Sequence, residues 1–251
     1  MPGEAVASPF FSAHAKAYAA SASHARGADL EALLAALAPQ PGEAAADVAT
    51  GTGHTALALA AAGLTVVGVD PTPAMLEEAR RLAAEQGLSS RVCWERAEVD
   101  ALPLPQGAFD VVTCRRAFHH FPDPTGALHA MARLLAAGGR LGISDMCPEA
   151  ETGDLVNVLE RRRDPTHRRA LPEEEWRALL AEAGLQVRAW RVSSEEVTFA
   201  QWMAPVAADG PEASAIRQAL ASAAEPLRGA LTGGRPDAWV KRRLVFVAER
   251  R

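Results

Sequence analysis

Three short runs constrain this chain more than anything else in it. "LTVVGVD" (64–70), "FDVVTC" (109–114) and "GRLGISD" (139–145) are apolar almost without interruption. Each has the length of a strand. A strand apolar on both sides must be buried on both faces, as in a parallel sheet covered by helices. Helical patterns with readable ends lie between and after the runs. Thr72 and Pro73 open one, which Gly87 ends, with Met75, Ala79, Leu82 and Ala83 as its apolar stripe. Asp123 and Pro124 open a second, with Leu128, Met131, Leu134 and Leu135 inward and Gly138 as its stop. Pro172 and three glutamates open a third, with Trp176, Leu179 and Leu180 inward and Gly184 at its end. Strands are predicted over 185–192 and 243–250. The alternation predicts a doubly wound, mostly parallel α/β sheet. A single domain over 1–251 is expected: a helical cap over 1–38, a core over 43–192, an insertion over 194–240 with at least one alanine-rich helix, and a last strand within 241–251.

Charge and cysteine usage narrow the function classes. Of 251 residues, 31 are acidic and 26 basic, a net charge of −5. An acidic chain is a poor partner for nucleic acid, which wants a basic face. No run of 18 apolar residues predicts a membrane span, and the first residues lack the pattern of a signal peptide. Cys93, Cys114 and Cys147 are widely spaced, with no CxxC pair. Disulfides and a cysteine metal site are therefore not expected, and a reducing cytoplasm is. The richness in Ala, Arg, Leu and Gly fits a bacterial source. Nothing in the sequence sets the oligomeric state.

Ligands of doubly wound sheets bind at the carboxyl ends of the strands. There the chain reads "DVATGTGH" (47–54). Gly51 and Gly53 resemble the turn that holds a dinucleotide pyrophosphate. Asp47, however, would repel a pyrophosphate and welcome an ammonium group. The amino-acid end of S-adenosyl-L-methionine (SAM) has an ammonium there. Asp70 ends the second strand with two carboxylate oxygens for two ribose hydroxyls, and Pro71 keeps the following chain extended. Glu98 can accept from an adenine amino group, and the Val99 N–H can donate to a ring nitrogen.

Together, "DVATGTGHTALALA", "GVDPTPAMLEEARRLA", "EVDALPLPQGAFDVVTCRRAFHHFPDP" and "MARLLAAGGRLGISD" resemble the class I SAM-dependent methyltransferases. The subgroup is the methyltransferase type 11 proteins, similar to the ubiquinone and menaquinone C-methyltransferases. The resemblance spans roughly 10–192. It implies a seven-stranded Rossmann-like sheet and SAM as cofactor. It also implies that Asp47, Ala49, Thr50, Gly51 and Gly53 surround the methionine part, and that Arg115 supplies backbone beneath it. Asp70 and Pro71 then sit at the ribose, with Met75, Glu98 and Val99 toward the adenine. Tyr18 and His24, in a segment that folds over the cofactor in relatives, are candidate contacts. Ala49 stands where the family has glycine, which is tolerable if its φ is negative. Phe118 stands where relatives carry a small residue, and should narrow the acceptor pocket.

His119 and His120 lie beyond the fourth strand and are candidates for the proton acceptor, since a histidine titrates near neutrality. The bland alternative is that one packs and the other bonds backbone. "RRRDPTHRR" (161–169) reads either as a solvated charged face or as a lid. As a lid it would bring Arg163, His167 and Arg169 to an acidic or carbonyl-bearing small-molecule acceptor. The expected activity is methyl transfer to carbon or oxygen. A non-catalytic SAM-binding module is the alternative. An NAD(P)-dependent reductase is disfavoured by Asp47 and by the lack of a YxxxK pair. An amino-group methyltransferase is disfavoured because "CRRAFHH" replaces the (N/D)PP(Y/F) motif of those enzymes.

Overall fold

The computed structural model of the protein describes residues 7–250. The first six residues of the expected cap, and residue 251 of the last strand, lie outside them. Three helices come first: α1 (Ala7–Ala19), α2 (Ala22–Arg26) and α3 (Ala28–Leu37). The core alternates β1 (Ala44–Val48), α4 (His54–Ala61), β2 (Thr65–Val69), α5 (Pro73–Glu85), β3 (Val92–Glu95), β4 (Phe109–Arg115), α6 (Pro124–Leu134) and β5 (Leu135–Met146). Then follow α7 (Ala150–Arg163), α8 (Glu173–Glu182), β6 (Leu185–Thr198), α9 (Phe199–Met203), α10 (Pro211–Ser222), α11 (Glu225–Thr232) and β7 (Ala238–Arg250). No helix among the described residues is long and apolar enough to cross a membrane.

The seven strands form one sheet in the order β3-β2-β1-β4-β5-β7-β6. β7 runs antiparallel to both its neighbours, and the pairs from β3 to β5 are parallel. The order reverses between β1 and β4, which is where such sheets open a crevice for ligands. One face is covered by α3 and α4, through Leu33, Leu37, Ala56 and Leu59. The other is covered by α6 and α8, through Leu128, Met131, Trp176 and Leu180. A third apolar cluster joins α7 to α9, α10 and α11, with Trp202, Met203, Ile216 and Trp239 buried in it.

Three boundaries depart from the pattern read in the sequence. Helix α6 stops at Leu134, and Leu135 begins β5 rather than facing inward from a helix. Gly138, at φ 75, lies in a bulge of β5, where the register with β4 jumps from Phe109↔Leu135 to Val111↔Arg140. A left-handed glycine marks a bulge as readily as a helix end. Strands β6 and β7 also pair over 193–198 and 238–243, so the insertion is 199–237 and holds three helices. The extra strand length reads "SSEEVT" and "AWVKRR", whose polar positions hide the strand period. Thr72 does sit at the start of α5, but its side chain makes no capping bond and its hydroxyl is buried without a partner.

The turn after β1 carries three left-handed residues, Ala49, Gly51 and Gly53, of which the first and last are of different kinds. Ala49 has φ 54, the opposite sign from the one that would make alanine tolerable there. An L-residue in that region costs about 1–2 kcal/mol. Gly53 has φ 83, and a Cβ on it would come within 2.6 Å of the Trp94 ring. It is glycine because α4 packs closely on β3. Gly53→Ala should therefore lower unfolding stability by about 2 kcal/mol or more, combining backbone strain with overpacking. Ala49→Gly should be neutral or stabilising by up to about 1 kcal/mol, since relieved strain offsets the added freedom of the unfolded chain. Denaturant titration measures both, and equal losses would contradict this account of the turn.

Candidate functional site

Two cavities meet at the carboxyl ends of the strands. The larger, about 1200 Å³, follows the ends of β1, β2 and β4. The smaller, about 510 Å³, lies between the first helices, α7 and the start of β7. Phe11, Tyr18, His24, Arg116 and His120 line both, and so form a wall the two share where they meet.

Most of the residues expected at a cofactor line the larger cavity. Ala49, Thr50 and Gly51 come from the turn, Asp70, Pro71 and Met75 from the β2–α5 junction, and Glu98 and Val99 from the chain after β3. Asp70 is bound at both oxygens. Oδ2 accepts from Gly51 N–H at 2.9 Å and Oδ1 from Thr72 N–H at 2.8 Å. It thus shapes the turn, and a carboxylate has lone pairs left for two more donors. Burial raises its pKa to about 6, against those two N–H bonds. His54 opens α4 and lines the same cavity, and burial lowers its pKa, which favours the neutral ring.

Asp47 and Gly53 are exceptions, for they lie behind the turn. Gly53 packs on Trp94. Asp47 is almost fully buried and bridges two strands: Thr50 Oγ1 and Thr113 Oγ1 each donate to it at 2.6 Å. The expected place beside a ligand's ammonium is thus corrected: the carboxylate braces the turn from beneath. Burial, opposed by the two hydroxyls, raises its pKa to about 6.

Arg115 contributes its side chain as well as its backbone. Its guanidinium is clamped on Asp29 of α3, Nε to Oδ2 at 2.8 Å and Nη2 to Oδ1 at 2.9 Å. Arg116 grips the same carboxylate, Nε to Oδ2 at 2.9 Å and Nη2 to Oδ1 at 2.6 Å. Burial alone would raise the pKa of Asp29, but the two guanidiniums hold it far below the usual carboxylate range. Arg115 Nη1 also donates to the His24 carbonyl at 2.8 Å. These bonds seat α2 over both cavities. Tyr18 packs edge-on against His24, with ring centroids 5.1 Å apart. Burial, followed by the nearby Arg116 and Arg115, keeps the His24 pKa well below its ordinary value.

His119 and His120 form a short 3-10 turn with Phe118. His119 lines the smaller cavity, and its Nδ1–H donates to Asp145 Oδ1 at 2.6 Å. That bond fixes the tautomer and leaves Nε2 as the ring's acceptor. Burial would raise the pKa of Asp145, but His119 bonded to its Oδ1 lowers it on balance. His120 Nδ1 lies 3.0 Å from Thr166 Oγ1. Burial, with His119 beside it, pushes its pKa well below the ordinary value. Phe118 does not narrow a pocket, because it faces the core against Trp176, with ring centroids 4.5 Å apart.

The arginine-rich stretch divides. Arg163 ends α7, lines the smaller cavity and is paired with Glu160, Nε to Oε2 at 2.8 Å. His167 is buried away from both cavities, its Nε2 2.7 Å from Asn157 Oδ1, and burial lowers its pKa to about 3. Arg169 is exposed and pairs with Glu175. Neither of the latter two faces an acceptor. The backbone here has a different job, since the N–H groups of Arg168 and Arg169 both donate to the His119 carbonyl. The stretch braces the histidines from behind.

Several residues of the site are not among those expected from the sequence: Phe11, Arg116, Glu160, Lys241 and Arg243, which line a cavity, and Asp145, which holds His119 from behind. Arg116 was visible as the second arginine at a strand end. Lys241 and Arg243 stand two apart, as residues on one face of a strand do. The expected strand over 243–250 includes Arg243 but stops short of Lys241, so the pair is not visible as one face of a strand.

Residues 46–143 match a family profile described as a methyltransferase domain. An uncharacterised methyltransferase of Bacillus subtilis (strain 168), YcgJ, is 36% identical over 173 residues, 68% of each chain. The crystal structure of YcgJ superposes with a TM-score of 0.82 at 26% identity, covering 89% of this chain and 98% of that one. Demethylmenaquinone methyltransferase of Thermus thermophilus is 47% identical over 104 residues, 41% of this chain and 46% of the relative. The 27-O-demethylrifamycin SV methyltransferase of Amycolatopsis mediterranei is 31% identical over 157 residues, 61% of this chain and 58% of the relative. A match in sequence over two thirds of one methyltransferase, and in fold over nearly all of it, places this chain in the class I family of SAM-dependent methyltransferases, with SAM as its cofactor.

Proposed function

We propose that the protein transfers a methyl group from SAM to a small-molecule acceptor, at carbon or oxygen. The observation that carries this is the wall shared by the two cavities: Tyr18, His24, Arg116 and His120 border both, so ligands in the two would meet beside them. A volume of about 510 Å³ suits a small organic molecule. Two of the relatives are named for acceptors of that kind, a demethylmenaquinone and a demethylrifamycin. Cys93, Cys114 and Cys147 are all unpaired, which supports a reducing, cytoplasmic setting.

In this reading the larger cavity takes SAM. Asp70 accepts from the ribose hydroxyls, Glu98 and Val99 face the adenine near Pro71 and Met75, and Ala49, Thr50 and Gly51 border the methionine part. The cofactor supplies a methyl group already activated by its sulfonium. The chain therefore has to orient the acceptor in line with the S–CH₃ bond and, for an acidic C–H or O–H, to take one proton. His119 is suited to take it, because Asp145 holds its Nδ1–H and leaves Nε2 to accept the proton. His120, tied to Thr166, forms part of the wall.

Incubation with methyl-labelled SAM and a small-molecule extract of a bacterial lysate should place label in the low-mass organic fraction. Label confined to protein or nucleic acid would refute the small-molecule reading. In the same assay His119→Ala should lower turnover roughly 10²–10⁴-fold, with cofactor affinity nearly unchanged and a smaller effect from His120→Ala. Equal, small effects would mean that transfer proceeds by positioning alone.

The cofactor side predicts a pH dependence. Ribose hydroxyls donate to the ionised form of Asp70, whose carboxyl titrates at about 6 in the folded protein. Affinity for S-adenosylhomocysteine should rise as pH climbs through 6, with a proton released on binding below it. Stability of the unliganded fold runs the other way. Asp70 binds its proton more tightly folded than unfolded, so its contribution falls as pH rises from the ordinary carboxylate value to about 6. Asp70→Asn should weaken S-adenosylhomocysteine binding roughly 10–100-fold at pH 8, the loss of hydrogen bonds to a charged acceptor at about 1.5–3 kcal/mol each before water compensates. Calorimetry against pH measures this, and unchanged affinity in a folded variant would remove Asp70 from the site.

A further inference from the structure

The smaller cavity holds more positive charge than its own carboxylates balance. Arg116 is taken by Asp29, Arg163 by Glu160, and Arg242 by the Cys147 carbonyl. Lys241 and Arg243 are different. They stand two apart on β7, so their side chains leave the same face of the strand, and both line the cavity. Among the described residues no hydrogen bond or ion pair engages either side chain, and Nη1 of Arg243 is fully enclosed without a partner. Glu195 is the cross-strand neighbour of Lys241, yet forms no ion pair with it.

An enclosed cation with no partner is costly to a fold, and proteins normally pair it. Here the surroundings sharpen the cost. Burial, then Arg243 and Arg116, lowers the pKa of Lys241 to about 8, and burial, then Arg116, lowers that of Arg243 to about 10. Asp29 and Asp145 offset the charge of Arg243 in part, and Glu195 that of Lys241, but none of the three forms an ion pair with either. Next to the two cations the lining is apolar: Trp239, two residues before Lys241 on the same face of β7, stacks on Trp202 at 3.8 Å, and Val156 and Leu231 line the same cavity. We infer that the acceptor is an amphiphilic anion, with an apolar body against Trp202 and Trp239 and a carboxylate or phosphoryl group bound by Lys241 and Arg243. A guanidinium fork matches either anion through paired N–H bonds, and an ammonium adds a point charge. The inference rests on the smaller cavity being the acceptor's.

The test uses the full chain loaded with S-adenosylhomocysteine and three probes of one shape: 1-naphthoate, 1-naphthyl phosphate and the neutral 1-naphthalenemethanol. At least one anion should bind ten times more tightly than the alcohol, and which anion wins names the group. Lys241→Met and Arg243→Met should each weaken that anion at least tenfold and leave S-adenosylhomocysteine affinity within twofold. Arg243→Lys should retain part of the affinity. Without ligand, both methionine variants should melt no lower than the parent, since each removes a cation that no ion pair or hydrogen bond among the described residues engages. Lys241→Met, at a half-exposed side chain, carries the test alone if Arg243→Met does not fold. Equal binding of alcohol and anions, unchanged anion affinity in the variants, or a lowered melting temperature in both would overturn the inference. Loss of S-adenosylhomocysteine binding in the variants alone would overturn it too, by assigning the cations to the cofactor. A parent chain that fails to bind S-adenosylhomocysteine would instead sink the cofactor reading on which the inference stands.

Discussion

One carboxylate holds the site together. Asp29, in the first turn of α3, receives four charged N–H bonds from Arg115 and Arg116, and Ser144 Oγ donates to it at 3.3 Å. It thereby ties the first helices to the ends of β4 and β5. A buried carboxylate is tolerable only when paired this fully. The converse also holds: without Asp29, two guanidiniums would face each other in a site of low polarity. Replacing one partner of such a cluster is far more damaging than never having built it. The wall that the cavities share follows from this clamp. Arg116 is a wall residue, and Arg115 holds the carbonyl of His24, another.

On the other side of the wall, the β1 turn depends on a second buried acid. Asp47 joins Thr50 in the turn to Thr113 in the neighbouring strand, so the turn's position is set from below by the sheet. Asp70 sets it from the side through Gly51. The strained φ of Ala49 persists because these contacts over-determine the backbone around it. Such a turn presents fixed groups to a ligand and reorganises little on binding, as the proposed positioning of a cofactor against an acceptor requires.

The sequence was legible where local pattern and position coincide. The apolar run over 64–70 locates the strand end at Asp70, and the paired glycines themselves locate the turn after β1. It misled where a residue type was right and its direction was hidden. Asp47 points under the turn, Phe118 points to the core, and Arg169 points to solvent. The arginine run drew attention by composition, yet the unpaired cations are on β7. There "KRR" reads as a polar loop until its pairing with β6 shows it to be strand. Asp29 had no local signal at all, since its partners lie 86 and 87 residues away.

The central claim is that a cofactor in the larger cavity meets an acceptor in the smaller one beside the Asp29-clamped wall. A crystal structure with S-adenosylhomocysteine bound tests it most directly. The account predicts the ribose at Asp70, the adenine beside Glu98 and Val99, and the sulfur at Tyr18, His24 and His120, directed at the cavity that holds His119. A sulfur turned away from that cavity, or a ribose that makes no contact with Asp70, would contradict it.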